Sequence, residues 1–468
     1  MTKAFETLPT PFTLGSFAMF RRYLFRNYRL LAALQQWLKP RVTLSGSLVL
    51  WALLFAAGLG MDTDVTVAYQ AFSFLACLVL VSASFACFSR GRYEARRVLP
   101  KFGTVGTALP HRVFIKNLTH RKQRELVLLE NLADTRPTLA QFIENPEPGE
   151  EKRNWFDRTY GYYRWQWLCK ENIKAGMTDI PLPAIAPRGE VEVSGQLMPR
   201  KRGRLDLSGI SIAWPDPFGL FRSIFNIPCP QSVLILPKRY PLPRLPLPGT
   251  MKYQQGGVAL ASSVGESEEF VSLREYRPGD PMRHIHWRSW AKSGKPIVKE
   301  FQDEFFVRHA LILDTFGSLG ESEVFEEAVS MAASFACAVQ SQDSLLDLMF
   351  VGPQAFCFTS GRGLAHTEQM LEILASVGIC RDKPFSSLRY LVMEHIGAVS
   401  GCICVFIAWD EERQDLVRQL KVLGIPVTVF LVTPAGENAK SLPGPLADEP
   451  GNFRPLEVGK IGEGLARL

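Results

Sequence analysis

The sequence is short of the features that define several common classes of protein. Its 53 basic and 46 acidic residues leave a net charge of only +7, too small an excess to indicate nucleic-acid binding. The nine cysteines follow no regular spacing, which indicates reduced thiols in a reducing compartment and argues against a disulfide framework. No Gly-x-Ser-x-Gly motif marks a hydrolase nucleophile. The composition therefore favours neither a nucleic-acid binder nor a secreted scaffold.

Two apolar runs without a charged residue lie near the N-terminus, at residues 42–60 and 65–88. Each is long enough to cross a hydrocarbon core of ~30 Å. The basic residues on either side of the pair are Arg21, Arg22, Arg26, Arg29, Lys39, Arg41, Arg90, Arg92, Arg96 and Arg97. The connection carries only Asp62 and Asp64, so the positive-inside rule places both ends in the cytoplasm. The sequence predicts a transmembrane helical hairpin at 42–97 and a multi-pass location in the cell inner membrane, with the large C-terminal portion cytoplasmic.

A basic juxtamembrane segment, residues 1–41, precedes the hairpin and interleaves aromatic residues with arginines. Two interpretations of it stay open. It could lie along the anionic inner leaflet as an interfacial helix, or it could be an ordinary helix packed on the protein.

Short apolar alternations broken by glycine and proline fill residues 98–240 and predict an antiparallel β-sandwich-like domain. Within it, residues 145–167 form a polar and then aromatic insertion, which we interpret as a hairpin covering a sheet, with a partner site as the alternative. Asp216 and Gly219 belong to a tight turn after a strand.

Strands alternate with amphipathic helices over residues 306–468, which predicts a doubly wound α/β domain. Two of its buried strands end in Asp314 and Asp410, and ligands of such sheets bind at the carboxyl ends of the strands. The strand at residues 425–432 is expected to be the last.

The connector between the two domains, residues 241–305, holds a charged stretch at 265–301 with almost no apolar run. One interpretation is an ion-paired structural connector in which Arg274 and Arg283 bind carboxylates. A second is a metal-dependent hydrolase that uses Asp280, His284 and His286, the two histidines lying on one face of a strand. A basic groove for phosphate is disfavoured because nearby acids nearly balance the bases.

The same stretch resembles the signature of the bacterial "domain of unknown function 58" family, whose members are often encoded beside MoxR-type AAA+ ATPases. The matching positions are Gly265, Glu269, Phe270, Leu273, Arg274, Tyr276, Pro278, Gly279, Asp280, Arg283, Ile285, Trp287 and Lys299, together with Asp216 and Gly219 of the upstream turn. The resemblance implies a membrane-anchored, non-enzymatic adaptor or co-chaperone for such an ATPase. It implies no nucleic acid and no small-molecule substrate.

The resemblance also implies a von Willebrand factor A-like C-terminal domain, a fold that often holds Mg²⁺ through Asp-x-Ser-x-Ser and later Thr and Asp ligands. Here Asp314, Ser318 and Asp410 match, whereas Phe316 and Leu364 replace two of the expected oxygen ligands. Because a hard divalent ion needs several oxygen ligands, we expect a degenerate site with at most weak Mg²⁺ binding. The two aspartates could instead cap the helices that follow them.

Overall fold

A computed structural model of the chain describes most of its length and divides it into two compact units, Met1–Leu236 and Pro237–Leu468. The described residues are 11–59, 66–88, 91–243, 270–278, 280, 282–301, 308–317, 322–340, 345–360, 364–436 and 442–466. The division falls near the predicted boundary at 240. Tyr240 belongs to the second unit, because its backbone N–H donates to Ser334 at 2.8 Å and its hydroxyl donates to Glu327 at 2.6 Å.

Three helices open the first unit: α1 Pro11–Leu38, α2 Leu44–Leu59 and α3 Thr66–Phe88. Within the described residues, the only helix long and apolar enough to cross a membrane is the one at Val67–Phe88. The 16 residues of α2 fall short of the roughly 20 that a span needs. One candidate span is therefore supported, and the two-helix hairpin stays a prediction.

Two sheets follow in the first unit. Their strands are β1 Tyr93–Val98, β2 Phe102–Thr104, β3 Leu109–Asn117, β4 Val127–Leu132, β5 Ala175–Met177, β6 Ile180–Pro181, β7 Glu190–Pro199, β8 Gly203–Pro215 and β9 Arg222–Leu236. One sheet has the order β1-β3-β7-β5 and the other β2-β9-β8-β4-β6. All pairs are antiparallel except β2–β9. Val113 and Ile115 of one sheet share a buried cluster with Leu128, Ile210 and Ile212 of the other, so the two sheets enclose a common core.

The aromatic insertion is helical, and its interpretation as a hairpin was wrong. It forms α5 Trp155–Tyr160 and α6 Tyr162–Glu171, preceded by α4 Leu139–Glu144. Phe142, Trp165 and Leu168 bury their side chains against Phe25 of α1. Residues far apart in the chain supply this core, and for that reason a local pattern did not reveal it.

The second unit contains a six-stranded sheet of order β14-β13-β12-β15-β16-β17. Its strands are β12 Arg308–Leu313, β13 Leu345–Val351, β14 Ala355–Ser360, β15 Gly401–Phe406, β16 Val427–Thr433 and β17 Phe453–Glu457. Its helices are α8 Ser322–Gln340, α9 Leu364–Ser376, α10 Ser386–His395, α11 Glu411–Val422 and α12 Ile461–Ala466. All pairs are parallel except the edge pair β13–β14. The strand at 425–432 is not the last, because β17 follows it.

Helices cover both faces of this sheet. Leu388 of α10 and Leu416 of α11 pack in one core with Ile312 and Cys404, whereas Phe335 of α8 lies 4.8 Å from Phe430, between ring centroids. The strand order reverses between β12 and β15, and this reversal is the point at which open α/β sheets form a ligand crevice. The predicted doubly wound topology is therefore observed, and it places Asp314 and Asp410 at the carboxyl ends of the two strands that flank the reversal.

A small hairpin precedes this sheet in the second unit. It pairs β10 Phe270–Glu275 with β11 Ile297–Phe301 in antiparallel register and carries α7 Trp287–Ser293 between the strands. Ile285 and Val298 are buried and form an isolated bridge. We call residues 270–301 the signature hairpin.

Candidate functional site

A partly buried ion cluster occupies the point where the strand order reverses, and the buried Arg413 of α11 lies at its centre. Its three guanidinium nitrogens donate in three directions: Nε to Asp314 Oδ2 at 2.6 Å, Nη1 to Asp410, and Nη2 to the Phe316 carbonyl at 3.0 Å. The guanidinium also lies 4.7 Å from the centroid of the Phe385 ring. We call Asp314, Asp410 and Arg413 the switch-point cluster.

The local sequence explains how each member is placed. Asp314 follows the fully apolar end of β12, and its carboxylate accepts the backbone N–H of Phe316 at 3.0 Å and of Ile407 at 3.3 Å. Asp410 is the N-cap of α11 and accepts the N–H of Arg413 at 3.1 Å, as predicted for a capping aspartate. Asp314 does not cap the next helix, because α8 begins only at Ser322 and the carboxylate is directed to Arg413.

The electrostatics of the cluster are dominated by burial. Asp314 is fully buried, and burial raises the pKa of its carboxyl group, whereas the Arg413 charge and the hydrogen bonds act in the opposite direction. Burial disfavours the Arg413 cation, but the Asp314 and Asp410 carboxylates outweigh it and raise the pKa of Arg413. Each charge of the Asp314–Arg413 pair stabilises the other, because either charge left unpaired at this buried position would destabilise the fold.

The cluster has a direct bearing on the predicted metal site. Asp314 and Asp410 do come together, but a guanidinium already stands between their carboxylates. Ser318 lies outside the described residues, and Leu364 and Thr367 both fall within α9. A divalent cation would have to share two carboxylates with the Arg413 guanidinium, and the described residues around it supply few further oxygen ligands.

In the signature hairpin, the Arg274 guanidinium donates two parallel hydrogen bonds of 2.8 Å each to the Asp280 carboxylate. The Arg277 N–H donates to the same carboxylate at 2.8 Å. The Arg274 hydrogen bonds, followed by that of Arg277, lower the pKa of Asp280 to about 2. The ion pair closes the turn between β10 and α7, as the structural interpretation of this stretch predicted for Arg274.

Other predicted signature residues divide between backbone and surface roles. Tyr276 donates its N–H to the Pro296 carbonyl at 2.9 Å, and Lys299 lies opposite Leu273 in the β10–β11 register. Trp287 is 63% exposed and stacks on Trp290 at 5.2 Å between ring centroids. Glu269, Gly279 and the side chain of Arg283 lie outside the described residues.

The hydrolase interpretation placed His284 and His286 on one strand face, and this geometry was wrong. His284 ends a 3₁₀ turn, whereas His286 is the N-cap of α7 and its Nδ1 lies 2.6 Å from Ser289 Oγ. Asp280 is already bound by Arg274. In the part of the chain that the structure describes, no group of three or more His, Cys, Asp or Glu side chains is placed to hold a metal ion.

The upstream turn has a structural task in the first unit. The Asp216 N–H donates to the Phe221 carbonyl at 2.9 Å, and the Asp216 carbonyl accepts the N–H of Gly219 at 3.0 Å. Gly219 adopts a left-handed φ of +68°. The Gly219 carbonyl accepts the hydroxyls of Thr43 at 2.6 Å and Ser45 at 2.8 Å. The turn therefore holds the residues that lead into α2.

Arg413 was not singled out from the sequence, although a signal existed. Its spacing of three from Asp410, directly after a buried strand, is that of a capping ion pair at the first turn of a helix. The spacing gives no sign of the second partner of Arg413, Asp314, because that residue is 99 positions away in the chain.

Comparison with known proteins gives one informative relationship. A family model described as "Protein of unknown function DUF58" matches residues 272–445. A Bacillus subtilis (strain 168) protein described as "Uncharacterized protein YeaD" is 27% identical over 183 residues, which is 38% of this chain and 44% of that protein. The chain thus aligns with less than half the length of this relative.

Solved structures add nothing to this relationship. A beta-glucosidase from Listeria innocua is 13% identical over 31% of this chain and 16% of its own, with a TM-score of 0.14. A GH20 exo beta-N-acetylglucosaminidase from Vibrio harveyi is 8% identical over 76% of this chain and 59% of its own, also with a TM-score of 0.14. TM-scores this low support no statement about fold or activity.

The family match begins in β10 and extends past α11, so it includes both the signature hairpin and the switch-point cluster. Most of the motif residues that carried the resemblance, from Leu273 to Lys299, lie within the matched region, whereas Gly265, Glu269, Phe270, Asp216 and Gly219 precede it. Residues 272–445 of the chain are therefore similar to the DUF58 family, whose function is unknown.

Proposed function

We propose that the protein is a membrane-anchored, non-enzymatic adaptor that binds a protein partner through its C-terminal unit. The observation that carries the proposal is the switch-point cluster. In a doubly wound sheet this crevice is the usual place for a small ligand or a metal, and here Arg413 fills it and neutralises its carboxylates. A crevice whose carboxylates are already bound by Arg413 favours protein binding over small-ligand chemistry for this unit, and the partner then contacts an exposed surface elsewhere on it.

The finer description of the C-terminal unit is part of the same proposal. We infer a von Willebrand factor A-like domain with a degenerate metal site. Support comes from the strand order with its antiparallel edge strand β14 and from the positions of Asp314 and Asp410. In this interpretation Arg413 supplies the positive charge that a metal ion supplies elsewhere in such folds.

The best candidate for the partner-binding surface is α7 of the signature hairpin. The exposed, stacked Trp287 is accompanied by the exposed basic residues Arg288 and Lys292 and by Met282, which is 75% exposed. Tryptophan and arginine are the residues that most often dominate binding energy at protein interfaces. A surface of this composition suits an acidic protein face with an apolar centre.

The class of partner comes from the family resemblance, which points to a MoxR-type AAA+ ATPase. Anchoring is supported by α3 as a candidate span and by the basic residues on both sides of α2 and α3, which favour a cytoplasmic C-terminal unit. An adaptor of this kind would hold the ATPase at the membrane during assembly or maturation of other proteins.

The test is binding of the full chain, in detergent or nanodiscs, to the MoxR-type ATPase of the same organism. Trp287→Ala should weaken binding by about 2 kcal/mol or more, roughly a 30-fold rise in Kd. Tyr390→Ala is the matched control, because Tyr390 is a similarly exposed aromatic residue, 68% exposed, on α10 of the same unit. Equal binding by both variants, or no binding by the wild type, would contradict the proposal.

A further inference from the structure

The outward face of α1 carries an apolar stripe that stays exposed among the described residues. Met19, Tyr23, Leu30, Leu34 and Trp37 are between 53% and 70% exposed. At about 100° per residue these five side chains lie within roughly 60° of arc around the helix. We call them the outer stripe. The opposite face of α1 supplies the packing, since Phe25 is buried there against Phe142 and Trp165.

Arginines flank the outer stripe on one side. Arg22, Arg26 and Arg29 are exposed and lie in the adjoining arc of about 60°. The surrounding sequence has one sign of charge, because residues 7–61 contain six basic residues and no acidic one. An acidic surface is therefore the natural complement of this face.

A shallow groove of about 330 Å³ lies beside the stripe, lined by Phe25, Arg26, Arg29, Leu30, Ala33 and Arg136. Asp134 engages Arg136 at 2.6 Å and lies 3.8 Å from Arg29. Apolar walls with guanidinium groups at the rim suit a molecule with a phosphate next to hydrocarbon chains.

The outer stripe is continuous with the apolar helices. Only five residues separate the end of α1 from the start of α2. At this junction the Arg41 guanidinium lies 4.2 Å from the centroid of the Trp37 ring and donates to the Trp37 carbonyl at 2.7 Å. Tryptophan and arginine are enriched where a spanning helix meets the lipid headgroups.

We propose that the outer stripe of α1 lies in the headgroup layer of the bilayer and that Arg22, Arg26 and Arg29 bind anionic phospholipids there. This inference rests on the membrane anchoring in the proposed function, and it assigns α1 a lipid-binding role that partner binding does not require. α1 is then both a packed helix, through Phe25, and an interfacial helix, through its outer stripe.

The test uses the full chain with the photoreactive residue p-benzoylphenylalanine in place of Leu34. The chain is reconstituted into nanodiscs of phosphatidylcholine alone or of phosphatidylcholine with phosphatidylglycerol at 7:3. Irradiation should give lipid adducts, with a several-fold higher yield in the anionic nanodiscs. Each basic side chain near an anionic leaflet contributes an attraction of roughly fivefold. The triple variant Arg22→Gln, Arg26→Gln, Arg29→Gln should lose the preference, and the matched triple Arg→Lys variant should keep it.

Three results would overturn the inference while the chain remains inserted in the nanodisc. They are the absence of lipid adducts at position 34, equal yields in the two lipid compositions, and adducts to a second copy or to another protein. A chain that does not stay in the nanodisc would contradict the anchoring itself, and retention is read separately by co-elution with the disc.

Discussion

Replacing Arg413 by leucine should lower the free energy of unfolding of the C-terminal unit by about 3–5 kcal/mol at neutral pH. The Arg413 side chain is 5% exposed and its Asp314 partner is fully buried. Leucine fills part of the space beside Phe385 but leaves Asp314 with no cation and the Phe316 carbonyl without its donor. The size of the loss therefore reflects a stranded buried charge more than lost packing.

The same helix offers a matched control. Arg418 pairs with Asp415 across one turn of α11, but these side chains are 57% and 36% exposed. An ion pair in this setting is screened by water, so Arg418→Leu should change the stability by less than about 1 kcal/mol. Hydrogen exchange of the β12 and β15 amides measures the opening of this sheet and compares the two variants directly.

The loss caused by Arg413→Leu should depend on pH with a definite sign. Burial already raises the pKa of Asp314 above its ordinary 3.8, and removing Arg413 removes the charge that opposes this rise. A carboxyl group whose folded pKa is raised binds its proton more tightly in the folded state, so stability falls as pH rises from about 4 toward the folded pKa. The deficit of the variant against the wild type should therefore shrink as the pH is lowered toward 4.

Two results would refute this account of the switch-point cluster. The first is a loss below about 1 kcal/mol, or a loss that does not change with pH, in Arg413→Leu. The double variant Arg413→Leu, Asp314→Asn should be more stable than Arg413→Leu alone, because it no longer carries the unpaired Asp314 charge. The second is micromolar binding of Mg²⁺ or Mn²⁺ by the wild type that Asp314→Ala abolishes, since the carboxylates would then serve a metal.

Two further predictions follow from single contacts. Gly46→Ala should destabilise the first unit by about 1–3 kcal/mol in thermal unfolding, although alanine normally favours a helix, because the new Cβ would lie 2.1 Å from the Leu220 carbonyl oxygen. A Cβ at Gly58 in the same helix meets no atom of the described residues within 4 Å, so Gly58→Ala should be neutral or stabilising; equal effects would contradict the clash. The Arg274 hydrogen bonds lower the pKa of Asp280 to about 2, so its contribution to hairpin stability is present above about pH 4 and lost as the pH falls toward 2. Exchange of the β10–β11 amides should follow this acid dependence in the wild type and lose it in Asp280→Asn.

The sequence predicted those parts of the fold that local patterns determine. Apolar runs such as residues 310–313 and 401–409 identify buried strands by themselves, and the alternation of strands with helices implies the parallel sheet. Asp314 and Asp410 were located because each directly follows such a run. Short alternating runs identified the sandwich strands for the same reason.

The errors arose where distant residues decide the structure. The aromatic run at residues 162–167 forms a helix because Trp165 packs against Phe25 of α1, and because Arg164 forms a buried ion pair with Glu150. Arg413 lies in the first turn of an amphipathic helix, where a basic residue is ordinarily directed to solvent. Only the sheet topology shows that Arg413 reaches the carboxylate of Asp314, which follows β12.

Some signature residues make contacts that stabilise the fold, whereas others do not, and the second group indicates where a partner binds. Asp216 and Gly219 shape a turn that holds the start of α2, and Asp280 is bound by Arg274 to close a hairpin. These residues would be retained for stability alone. Trp287 is different, because exposing a large aromatic side chain brings the fold little burial and adds a risk of aggregation. A residue that the fold does not explain is best explained by a partner, so binding assays on this protein should begin at α7 rather than at the charged pairs around it.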